Sequence, residues 1–161
     1  MGRILIVYYS RSGHTRAIAE AMAARLGADI EAVQEPRDRS GIWGYLRSLR
    51  EALNRRVVEI RPSTKDPAGY DLVILGTPVW AHSVCSPMRS YIAAHQQRIK
   101  ALAVFCVEGG SGGSTAAGQI AALCGRAALS TLILTQGEID QQRCAAKLDE
   151  FVRALAPDKA A

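Results

Sequence analysis

Residues 3–15 read Arg3-Ile4-Leu5-Ile6-Val7-Tyr8-Tyr9-Ser10-Arg11-Ser12-Gly13-His14-Thr15, and this stretch decides the fold. The first seven residues form a nearly unbroken aliphatic and aromatic run. A strand with one face in water alternates in polarity, whereas an unbroken run marks a strand covered on both faces, as in a parallel sheet. A polar loop follows, then a helical pattern over 14–26 with Ile18, Met22 and Leu26 on one face, and Gly27 closes it. Strand, loop and helix together make the first unit of an α/β protein.

The same alternation continues outward. Apolar runs over 28–34, 71–76, 101–107 and 129–135 predict four more strands. Further helices are predicted from Ser86 as N-cap with Pro87 at N1, over 114–124 and over 140–154. This order predicts a doubly wound parallel sheet with right-handed crossovers. The interval 35–70 is different. It opens with Pro36-Arg37-Asp38-Arg39-Ser40-Gly41 and carries a short amphipathic helix (Ile42, Trp43, Leu46, Leu49, Leu53), read as the second crossover on one face of the sheet.

With 161 residues the chain is expected to be a single domain over 1–161, and 48% apolar against 22% charged residues gives it an ordinary core. Cys85, Cys106, Cys124 and Cys144 are far apart, which suits free thiols in a reducing cytoplasm rather than a zinc site or dithiol motif. No metal site is expected. The apolar run over 4–9 is too short for a signal segment or a membrane span. The net charge of +5 is concentrated locally, because seven arginines between residues 37 and 61 face only Asp38, Glu51 and Glu59. That segment reads as a solvated helix face with i,i+4 support such as Arg47–Glu51, and no nucleic-acid partner is expected.

Ligands of open α/β sheets bind beyond the carboxyl ends of the strands, at the switch in strand order. The loops there are 10–15, 77–86 and 108–114. Ser10, Ser12 and Thr15 supply three hydroxyls beside free N–H groups at a helix start, a set suited to a phosphate; the alternative is an N-cap loop with surplus serines. Neither G-x-x-x-x-G-K-[ST] nor G-x-G-x-x-G follows the first strand. The pattern G-x-S-x-G at 109–113 matches a hydrolase nucleophile elbow, but His14, His82 and His95 all precede Ser111, the wrong chain order.

Tyr9-Ser10-Arg11-Ser12-Gly13-His14-Thr15-Arg16 resembles the flavodoxin phosphate loop, T-x-T-G-x-T, with serine at two threonine positions. The segment from Tyr70 to Trp80, followed by Ser86-Pro87-Met88-Arg89, resembles the third-strand region of flavodoxin-like proteins, and Gly41-Ile42-Trp43-Gly44-Tyr45-Leu46 is similar to small bacterial members. The resemblance implies a flavodoxin-like three-layer α/β/α sandwich, a five-stranded parallel sheet in the order 2-1-3-4-5, and bound FMN. It implies phosphate binding by the side chains of Ser10, Ser12 and Thr15 and by the backbone N–H groups of Arg11, Gly13 and His14. The isoalloxazine ring would lie against Thr77, Pro78, Val79, Trp80, Ala81 and His82, and against Glu108, Gly109, Gly110, Ser111 and Gly112.

Trp80 has two readings, ring stacking and packing in the protein interior. Many flavodoxins present a tyrosine from the third loop, whereas this one has glycines and no aromatic, which would leave one ring face open. The resulting expectation is an electron-transfer protein working with a reductase and an acceptor protein. An FMN-dependent NAD(P)H:quinone reductase is the first alternative, and a flavin-free module the second. No catalytic side chain is assigned.

Overall fold

A computed structural model of the chain describes residues 2–36 and 57–156, together with Ile42, Trp43, Leu46 and Arg50 between them. Within residues 2–36 and 57–156, six strands and five α-helices follow in order: β1 (Ile4–Tyr8), α1 (His14–Leu26), β2 (Asp29–Ala32), β3 (Leu72–Trp80), β4 (Ser83–Val84), α2 (Ser86–His95), β5 (Leu102–Glu108), α3 (Gly113–Cys124), β6 (Ala128–Thr135), α4 (Gln136–Asp140) and α5 (Ala145–Leu155). The parallel sheet runs β2-β1-β3-β5-β6, and β4 pairs antiparallel with β3 outside that path. With β4 set aside this is the expected 2-1-3-4-5 order.

The buried strands explain their own composition. Alternate residues of β1 point to opposite faces. Leu5 and Val7 pack with Met88, Tyr91 and Ile92 of α2 and with Ala116 and Ile120 of α3. Ile4, Ile6 and Tyr8 pack with Ile18, Met22 and Leu26 of α1 and with Leu148 and Phe151 of α5. Two cores, one per face, therefore require apolar residues at every position of the strand. At Gly76 the sheet leaves no room for a side chain, because a Cβ there would collide with the ring of Phe105 on β5.

Four local expectations are corrected. The third strand does not stop at Gly76: it continues to Trp80, so Thr77, Pro78 and Val79 are strand residues, with Pro78 in register with Val107 of β5. Ser86 is not the N-cap of α2. Cys85 takes that position in extended conformation, its N–H donating to Thr77 Oγ1 at 3.2 Å, and Ser86 and Pro87 fall inside the helix. The helix expected over 140–154 is two helices, because Thr135 and Glu138 form a capping box that starts α4 earlier, and Gln142 at φ 55° ends it. In the crossover segment Ile42, Trp43 and Leu46 are helical but exposed, at 72%, 81% and 49%, rather than turned onto the sheet. Leu49, Leu53 and Arg47 lie outside the described residues.

Candidate functional site

In this sheet β1 lies between β2 and β3, so the direction of winding reverses between β1 and β3. The loop leaving β1 there has a definite geometry. Ser10 Oγ accepts the Gly13 N–H at 3.1 Å, which folds the loop back on itself and still leaves the Ser10 hydroxyl proton to donate. Gly13 is the N-cap of α1 at φ 96°, where a side chain is strained. The first N–H groups of a helix lack intrahelical partners, and its N-terminus carries partial positive charge. Ser10 and Ser12 in the loop and Thr15 in the first turn place three hydroxyls beside this end. Ser12 is exposed, and Thr15 is 2% exposed.

His14, the first residue of α1, is bonded at both ring nitrogens. Nδ1 lies 2.8 Å from Ser12 Oγ, and Nε2 lies 2.8 Å from Asp140 Oδ1 at the end of α4. Asp140 joins the first loop to the far end of the chain, 126 residues away. The position of α4 is set by its capping box and by Lys147, which donates to Glu138 at 2.6 Å. Hydrogen bonds from Lys147 and from the Thr135 backbone hold the Glu138 carboxyl below its ordinary range.

The second and third loops touch. Between Trp80 and Ser83 the chain turns through Ala81 at φ 49° and His82 at φ 59°. Two consecutive left-handed residues make a hairpin turn of the kind that favours Asn-Gly, so an Ala-His pair stores strain, on the order of 1–3 kcal/mol per residue. A polar cluster holds the turn. Gln119 Oε1 accepts from Ser83 Oγ at 2.8 Å, from the Val84 N–H at 3.0 Å and from Arg89 Nη2 at 2.9 Å. Arg89 also donates to Ser83 Oγ at 2.7 Å.

On the other side lies Gly112, at φ 96°, where a Cβ would stand 2.7 Å from His82 Cα. Ser111 Oγ and His82 Nε2 are 3.4 Å apart, too long for a strong hydrogen bond. Glu108 has a local duty: its carboxylate accepts the Gly113 N–H at 2.6 Å, at the N-terminus of α3. Gly109, Gly110 and Ser111 are exposed, and bring backbone to the surface without bulk.

The structure thus joins His82 with Ser111 and Gly112, and Ser12 with His14. Trp80 is only 9% exposed and meets Tyr9 edge-on, with centroids 5.5 Å apart. Of its two readings, interior packing agrees with that burial. Tyr9 in turn donates its hydroxyl to Glu35 at 2.9 Å. Sequence reasoning missed Asp140, Gln119 and Glu35; each meets its partner only through the fold, and no local pattern marks it. Burial pushes the Cys106 and Cys124 thiols up to about 12 and about 11, which makes them poor nucleophiles. Among the described residues no group of acidic, histidine or cysteine side chains could hold a metal ion, and no helix is long and apolar enough to cross a membrane.

These features define a doubly wound α/β protein whose strand order reverses between β1 and β3, the place where open α/β sheets bind ligands. A family model described as flavodoxin matches residues 3–151. The chain belongs to the flavodoxin family. It is similar in fold to the Lactobacillus acidophilus flavoprotein solved in complex with FMN, with TM-score 0.73, 20% identity, and 88% of this chain and 98% of that one covered. Two-electron reduced Megasphaera elsdenii flavodoxin is similar as well, with TM-score 0.62, 20% identity, and coverage of 96% and 98%. An NAD(P)H dehydrogenase (quinone) of Cupriavidus metallidurans is 31% identical over 97 residues, 57% of this chain. The chain spans about half of that relative's length, 46%.

Proposed function

We propose that the chain binds FMN at this edge, as one flavin domain, and serves as an electron-transfer protein between a reductase and an acceptor in the cytoplasm. The observation that carries the reading is the pairing of an anion-binding helix end, framed by Ser10, Ser12 and Thr15, with a glycine loop packed against a strained hairpin. The donor set fits a phosphate dianion, and the bare backbone at 109–110 fits the approach of a flat ring. Bound FMN would supply the redox chemistry.

The chain's own residues bind and orient the cofactor. The hydroxyls and the N–H groups of Arg11 and His14 hold the phosphate, while the Gly13 N–H is taken by Ser10 Oγ and shapes the loop; Pro78, Val79, Ala81 and His82 form one wall and residues 108–112 the other, with Thr77 fully buried. Trp80 supports its wall from within through Tyr9. Four free thiols, three of them buried, support the cytoplasmic assignment.

A second reading, an FMN-dependent NAD(P)H:quinone reductase, is favoured by the Cupriavidus relative and by a third loop with no aromatic to cover the ring. Visible absorption of the purified protein with and without added FMN tests the shared part: a protein that stays colourless with FMN refutes both readings. Steady NAD(P)H oxidation with a quinone and no added reductase selects the enzyme, and its absence selects the carrier.

A further inference from the structure

We propose that Ser12, His14 and Asp140 form a relay that ties the grip on the flavin phosphate to the protonation of His14. The inference rests on the assignment of that phosphate to the loop at 10–15. Its physical basis is a count of protons along two short contacts.

Asp140 is an acceptor when ionised, so the His14 Nε2 atom facing it at 2.8 Å carries a proton. A neutral imidazole has only one N–H, so Nδ1 is then bare. Ser12 Oγ, 2.8 Å from Nδ1, must turn its single hydroxyl proton toward the ring. In that state Ser12 presents only lone pairs to an incoming phosphate, and one of the three hydroxyls of the loop is lost as a donor. When His14 takes a second proton, the direction of the contact reverses. Nδ1–H donates to Ser12 Oγ, the hydroxyl proton is released, and Ser12 can donate to a phosphate oxygen. The imidazolium also places a positive charge one side chain behind the dianion.

Asp140 is in direct contact with His14. Arg11 and Arg16 stand on either side of it in sequence, and Arg16 is bonded to Glu20 at 2.7 Å. On the C-terminal side are Glu138, bonded to Lys147, and Arg143, whose backbone N–H donates to the Glu138 carbonyl at 2.8 Å. Linkage is reciprocal: if protonation strengthens phosphate binding, phosphate binding draws in a proton. The sign follows. With His14 protonated the loop holds FMN more tightly, and this contribution is lost as rising pH takes the proton away. Asp140 and His14 are positioning residues that act through Ser12.

The test uses the full chain freed of flavin, with FMN and riboflavin as probes, between about pH 5.5 and pH 8.5, a window that brackets the imidazole range. His14→Gln keeps hydrogen-bonding capacity but cannot titrate, so the ionisation of the FMN phosphate itself is common to both proteins. Across this window the Kd for FMN of the parent should rise relative to His14→Gln by about tenfold, the scale of one hydrogen bond to an ionised group. Calorimetry in buffers of different ionisation enthalpy should show extra proton uptake by the parent on binding FMN and none on binding riboflavin.

Asp140→Asn gives the readout that a structural role would not move. An amide no longer dictates which ring nitrogen carries the proton, so FMN should bind this variant more tightly than the parent at the alkaline end. Equal pH slopes for parent and His14→Gln, with FMN still preferred over riboflavin, overturn the relay and leave the phosphate assignment standing. Weaker binding by Asp140→Asn at the alkaline end also overturns it. Equal affinity of the parent for FMN and riboflavin at every pH overturns the phosphate assignment, and the relay with it.

Discussion

Gly13 and Gly112 form a matched pair. Both are N-caps of helices, α1 and α3, and they share a backbone conformation, φ 96° with ψ −12° and −6°. Their surroundings differ. A Cβ at Gly13 meets nothing within 4 Å, whereas one at Gly112 meets His82 Cα at 2.7 Å and His82 Cβ at 3.1 Å. Alanine at Gly13 therefore isolates the cost of a side chain in a left-handed backbone, about 1–3 kcal/mol. Alanine at Gly112 incurs that cost and a collision with backbone. His82 cannot yield cheaply, because it sits in a turn already at φ 59° whose far side is held by the Ser83–Gln119–Arg89 cluster. Overpacking of this kind adds about 1–3 kcal/mol.

Urea denaturation of the two variants and the parent measures the difference directly. Gly112→Ala is expected to be less stable than Gly13→Ala by that overpacking increment. A second readout locates the damage. Flavin affinity should fall in Gly112→Ala beyond the global loss, since the displaced pair joins the two loops proposed to flank the ring. Equal stabilities for the two variants would refute the reasoning, since the His82 contact would then cost nothing.

Thr15→Ala, and Ser12→Ala at the acid end where His14 is protonated, should each weaken FMN binding by roughly 1.5–3 kcal/mol, the value of a hydrogen bond to a charged group, and leave riboflavin nearly unchanged; titration with both ligands checks this, and equal losses for the two ligands would remove the phosphate from the loop. Trp80→Ala should lower unfolding free energy by about 3–5 kcal/mol as a core truncation; a loss below about 1 kcal/mol together with recovery of flavin fluorescence would make Trp80 a stacking residue instead. Glu138→Gln should weaken the α4 cap by about 1 kcal/mol at neutral pH. Because the folded Glu138 carboxyl lies below its ordinary range, its contribution is present above about pH 4.3 and is lost as pH falls further. Acid unfolding should accordingly differ less between parent and variant than unfolding at neutral pH, and a gap that widens toward acid would contradict the sign.

Some of this architecture is written locally, in residues that suffice for their own environment. The run over 4–9 is apolar at every position because both faces of β1 are covered, and the helix predicted over 14–26 is the helix found, His14–Leu26, with Gly27 closing it in left-handed conformation. The hydroxyl-rich loop was legible for a similar reason: its hydroxyls, its glycine and the helix it starts are neighbours in sequence. Tertiary structure decided what depends on distant partners. β3 runs on to Trp80 because β4 folds back on it and β5 pairs alongside, so a glycine and a proline that read as a strand end are overridden. Cys85 displaces Ser86 as a cap because a threonine eight residues earlier holds its N–H. Asp140 reaches His14 across 126 residues, and no spacing in the chain encodes that contact. Local propensity and periodicity are properties of a few consecutive residues, whereas a strand's end, a cap's owner and a histidine's partner depend on which surfaces the folded sheet brings together.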